Sequence, residues 1–118
     1  AYTPYDFALN TAGRSTWDND TRDIDHLMGL LDELFLSKGV PVIIGEFGAM
    51  NKDNEAERVQ WAEYYVGKAG EYGIPCIWWD NNAFEGDGEN FGLFNRRELT
   101  FPYPDLLKAL IEGAGAQE

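Results

Sequence analysis

Two short apolar runs restrict the fold more than any other feature of the chain. Pro41-Val42-Ile43-Ile44 and Pro75-Cys76-Ile77-Trp78-Trp79 are continuously apolar and rich in β-branched or aromatic residues. Such runs suit strands covered on both faces, as in a parallel sheet. They start about thirty residues apart, the spacing of a strand, a right-handed crossover helix and a second strand. The crossover is readable between them. Val59, Ala62, Tyr65, Val66 and Ala69 recur on one helical face, Asn54 and Glu57 have the spacing of a capping box, and Gly73 closes the segment.

A helix also precedes the first run. Ile24, Leu27, Met28, Leu31, Leu34 and Phe35 mark one face over about residues 21–37, with Gly39 at the C-terminal stop. A third helix starts near Pro104, carries Leu106, Leu107, Leu110 and Ile111, and ends at Gly113. The order is an extended opening, helix, strand, helix, strand, long loop, helix. That alternation predicts an α/β fold with a parallel sheet. The loop 80–103 follows the C-terminal end of a strand, where barrels and doubly wound sheets build their sites.

Composition narrows the partners. With 21 acidic and 9 basic residues the chain carries a net charge of −12, which repels nucleic acid and anionic membrane and suits a neutral ligand. No apolar run approaches the roughly 20 residues that span a bilayer. The opening AYTPYDF has neither a basic start nor an apolar core, so this segment holds no export signal. Cys76 is the single cysteine and has no internal disulfide partner. The single His26 lies beside Asp25 on the polar side of the first helix and reads as solvated surface. Gly86-Asp87-Gly88-Glu89 lacks the spacing of a calcium loop, and no Cys/His cluster supports zinc, so no metal or cofactor is expected.

Two strand ends carry chemistry. Glu46 follows the first apolar run one residue on, flanked by Gly45 and Gly48, so its carboxylate is expected to project from the rim of the sheet. A nucleophilic carboxylate needs such a rigid mount, and the small neighbours leave room for a sugar. The plain alternative is an exposed turn glutamate. Trp78 and Trp79, adjacent on a strand, must point to opposite faces. One of them can offer an indole to a pyranose ring, unless both fill the space between sheet and helices.

The motifs together resemble glycoside hydrolase family 5. VPVIIGEFGAMN is similar to that family's seventh, nucleophile-bearing strand, and GIPCIWWDNN to its eighth. AYTPYDFALN resembles the end of the sixth strand, whose pattern is His-x-Tyr, with Tyr2 as the tyrosine. FGLFNRRELTFPYPDLLKALI resembles the last loop and helix, and the wider phrasing is nearest to subfamily 4. The resemblance covers essentially the whole chain. It implies the C-terminal part of a (β/α)8 TIM barrel, from the end of the sixth strand to the eighth helix. It makes Glu46 the nucleophile, Tyr2 its hydrogen-bond donor, and Trp79 the floor of the subsite of the attacked sugar, with Trp78 as the alternative. Asn81 joins the sugar-binding candidates, as does Trp17, for which packing against Tyr5 or Phe7 is the alternative.

One departure matters. The family's acid/base glutamate stands in Asn-Glu-Pro at the end of the fourth strand, and that tripeptide is absent. Asn54-Glu55-Ala56 lies at a helix start, where capping accounts for it. A full (β/α)8 barrel needs about 250 residues, and this chain has 118. The resemblance therefore implies a retaining endo-β-1,4-glucanase acting on β-glucan polysaccharide or oligosaccharide, secreted, needing no cofactor, and completed by an upstream segment of the same barrel. The chain, a single but incomplete domain, is expected to be inactive alone. The competing readings are a non-catalytic carbohydrate-binding or structural module and an unrelated doubly wound enzyme.

Overall fold

The structure, a computed structural model, describes residues 1–115. Its elements are α1 (Tyr5–Ala8), α2 (Arg22–Leu34), a 3-10 turn (Leu36–Lys38), β1 (Ile44–Phe47), α3 (Glu55–Glu71), β2 (Cys76–Trp78) and α4 (Pro104–Gly113). β1 and β2 pair in parallel, as a crossover through α3 requires. The short α1, which the periodicity did not predict, sets Phe7 against Trp17 and against Trp61 of α3.

The core lies between the strands and α3. That helix buries Trp61, Ala62, Tyr65, Val66 and Ala69, and α4 packs along it through Leu106 and Ala109. The two helices approach closely, because a Cβ on Gly113 would stand 3.1 Å from Val66. Trp61 stacks on Phe47 at 5.9 Å, and Tyr65 stacks on the same ring at 4.9 Å. Among the described residues no helix covers the opposite face of the strands. Ile43 is 65% and Ile77 56% exposed. The molecule measures 43 × 33 × 20 Å, a slab one sheet and one helix layer thick.

Three local expectations need correction. The first long helix stops at Leu34 and not near residue 37. Phe35 leaves the helical region, and its carbonyl accepts the amides of Lys38 and Val40 while Gly39 takes φ 77. β1 starts at Ile44 and includes Glu46, where the apolar run had placed the strand over Pro41–Ile44. Apolarity marks the approach to the sheet, but the ladder begins only where a partner exists, at the bond from Ile44 N to Pro75 O. The capping box of Asn54 and Glu57 does not form. Asn54 instead accepts from Lys52 N and donates to Ser15 O, and Glu57 accepts from Trp17 N. Both side chains fasten the opening loop to the start of α3.

Candidate active site

The mount of Glu46 is a bulge. Ile44 is opposite Cys76 and Phe47 is opposite Trp78, so β1 takes three steps where β2 takes two. An extra residue of this kind breaks the strict alternation of side chains and re-aims one of them. Ile44 and Phe47 are therefore both buried toward α3, while Gly45 and Glu46 are both exposed on the open face. A regular strand would have sent Glu46 to the same side as Ile44.

Tyr2 meets the carboxylate there. Its hydroxyl donates to Glu46 Oε1 at 2.5 Å. Burial, and next the hydrogen bond to the carboxylate, hold the Tyr2 phenol well above its ordinary range, so it remains a donor. The opening segment is fixed from both sides: Ala1 N donates to Glu46 O, Tyr65 Oη to Ala1 O at 2.9 Å, and Trp61 Nε1 to Thr3 O at 3.0 Å.

The two neighbouring tryptophans separate cleanly. Trp78 faces α3, edge-on to Phe47 and Trp61, and its Nε1 donates to Phe91 O at 2.9 Å. Trp79 is 45% exposed and continues the open face of Ile77. Its amide donates to Phe47 O at 2.8 Å, which sets its backbone beside the residue that follows Glu46. Trp17 is 5% exposed with its ring 5.5 Å from Phe7, an arrangement that favours packing over sugar contact. Asn81 is occupied by its own loop: Oδ1 accepts from Ala83 N and Phe91 N, and Nδ2 donates to Glu89 O.

Behind Trp78 lies a residue that sequence reasoning missed. Arg58 is fully buried. Its Nε donates to Ala49 O at 3.0 Å, and its guanidinium lies 5.7 Å from the Trp78 ring centre and 5.0 Å from that of Tyr103. Nη1 and Nη2 have no protein partner. Burial pushes the guanidinium down to about 10. On α3 the residue stands four positions before Ala62 and seven before Tyr65, so helical spacing puts it on the buried face, and only its charge argued for solvent. Glu55 was also missed in its actual role. Its Oε2 accepts the amides of Asp105 and Leu106, so it caps α4, a different helix from its own.

The arrangement is a fixed carboxylate with an attached phenol donor and an exposed indole on one face. Among the described residues no group of three or more His, Cys, Asp or Glu is placed to hold a metal ion. Among the described residues no helix is long and apolar enough to cross a membrane. Residues 1–85 match the family described as cellulase, glycosyl hydrolase family 5. The chain belongs to that family.

Endoglucanases and a lichenase match along nearly all of it. Endoglucanase B of Neocallimastix patriciarum is 53% identical over 116 residues, which is 98% of this chain and 24% of that protein. A family 5 lichenase from Caldicellulosiruptor sp. F32 superposes with a TM-score of 0.92 at 47% identity, over 97% of this chain and 33% of its own. A subfamily 4 broad-specificity endoglucanase from Ruminococcus champanellensis is 54% identical with a TM-score of 0.83, over 94% and 32%. The chain thus spans between 24% and 33% of the length of these three relatives. Its fold is the C-terminal part of a (β/α)8 barrel.

Proposed function

We propose that the chain is the nucleophile-bearing segment of a retaining endo-β-1,4-glucanase, completed by an upstream segment of the same polypeptide. The observation that carries this reading is the Tyr2–Glu46 hydrogen bond on the bulged strand, on the face that also exposes Trp79. Glu46 attacks the anomeric carbon while an upstream glutamate protonates the departing glycosidic oxygen. The glycosyl ester on Glu46 is then opened by water, activated by the same glutamate acting as base. Tyr2 orients the attacking carboxylate, and Trp79 supplies a flat apolar surface beneath the sugar.

Two family 5 relatives support a glucan substrate, one solved with cellotetraose and one with cellotriose. The acidic surface suits a neutral polysaccharide and disfavours nucleic acid. A polymer too large to enter a cell is met outside it, which supports a secreted enzyme. The chain by itself, a domain with one catalytic carboxylate and an uncovered sheet face, is expected to bind and hydrolyse no glucan.

The test is Glu46→Gln in the complete polypeptide, assayed on soluble β-glucan alongside thermal unfolding. Loss of an essential group removes several orders of magnitude of turnover, with the unfolding midpoint nearly unchanged. Turnover within tenfold of the parent overturns the assignment.

A further inference from the structure

We propose that Phe91, which opens the last-loop motif without a role of its own there, is a positioning residue for the nucleophile. It acts on Glu46 through Tyr2, and the inference rests on the glucanase reading above.

Phe91 lies in the long loop after β2, yet it is only 1% exposed. Four contacts made by different parts of it converge on the site. Its ring lies 5.3 Å from the Tyr2 ring, at an interplanar angle of 53°. Its edge fills the space over Gly48, where an added Cβ would stand 3.1 Å from Cδ1. Its carbonyl accepts Trp78 Nε1 at 2.9 Å, and its amide donates to Asn81 Oδ1 at 3.1 Å. The neighbouring Asn90 carbonyl accepts Asn51 N at 2.8 Å, which ties the same point to the loop after β1. One loop residue therefore touches the opening segment, the exit of β1 and the last residue of β2.

The mechanical consequence follows from the geometry of a phenol. Tyr2 has two rotatable side-chain bonds, and its hydroxyl reaches Glu46 only while the ring keeps its orientation. Tyr65 and Trp61 fix the backbone of Ala1 and Thr3, not the Tyr2 ring. Phe91 is the aromatic neighbour that braces that ring. Gly48 leaves room for this ring, because a Cβ there, 3.1 Å from Cδ1, would press Phe91 outward by a few tenths of an ångström. Asn81 contributes by clamping the loop so that Phe91 is presented inward.

The experiment is a double-mutant cycle in the complete polypeptide between Phe91→Leu and Tyr2→Phe, with Asn81→Ala as a second route to the same loss that leaves the Phe91 ring intact. Phe91→Leu is expected to lower kcat about tenfold, the order expected for one misdirected hydrogen bond, with KM within about twofold. In the Tyr2→Phe background the same substitution should cost less than about twofold, because the donor it positions is gone. A crystal structure of Phe91→Leu should show the Tyr2 hydroxyl beyond hydrogen-bond reach of Glu46. Additive losses, an effect confined to KM, or an unmoved Tyr2–Glu46 contact each overturn the proposal. The crystallographic distance does not depend on activity. If the parent protein fails to hydrolyse β-glucan, the glucanase reading falls while the distance still decides the positioning role.

Discussion

On the helix side of β1 and β2, Phe47 and Trp78 are met by Trp61, Tyr65 and Arg58, and the rings lie within stacking or edge contact of one another. On the other side of the same strands Ile43, Ile77 and Trp79 are exposed, and the Glu46 carboxylate accepts the Tyr2 hydroxyl. The strands are apolar on both faces, but the helices that cover one face are adjacent in sequence, whereas the inner face of a barrel is filled by side chains from strands around the whole ring. A segment can complete its outer layer by itself. It cannot complete an interior that is shared.

The largest expected effect tests that contrast directly. Trp61→Ala in the complete polypeptide should destabilise it by about 3–5 kcal/mol, since it empties the centre of the aromatic cluster, as read by urea unfolding. Ile77→Ala should cost about 2–5 kcal/mol there and less than about 0.5 kcal/mol in the isolated chain, where the side chain is already solvated. Equal costs in both settings would break the comparison.

The tryptophan pair sharpens it at the level of function. Trp79→Ala should lower kcat/KM by roughly thirtyfold, equivalent to about 2 kcal/mol for loss of an aromatic contact surface, with little change in stability. Trp78→Ala should do the reverse, with its larger effect on the unfolding midpoint. A greater loss of activity from Trp78→Ala at matched stability would mean that the platform is on the other face.

The smallest effect concerns the outer layer alone. Glu55→Ala frees two amides at the start of α4 and should cost about 1 kcal/mol, with kcat and KM unchanged. A change in activity at unchanged stability would show that this glutamate serves the site and not the helix.

The sequence alone determined the order of elements, because periods of 3.6 residues and continuous apolar runs are local properties that survive without any neighbour. It also marked Glu46, Tyr2 and the Trp-Trp pair, since short motifs at strand ends are local too. Tertiary structure decided the rest. The bulge that puts both Ile44 and Phe47 against α3 and leaves Glu46 on the open face depends on pairing with β2. The side chains of Asn54 and Glu57 have a local capping option, and the opening loop outbids it. Glu55 caps a helix that begins 49 positions later, at Pro104. Arg58 turns inward because Trp78, Tyr103 and the Ala49 carbonyl converge on it from three separate segments. Phe91 gains its place from contacts with Tyr2, Gly48 and Trp78, of which Tyr2 lies 89 positions away. Each of these depends on groups that chain folding alone brings together, and no periodicity within one segment encodes a partner in another.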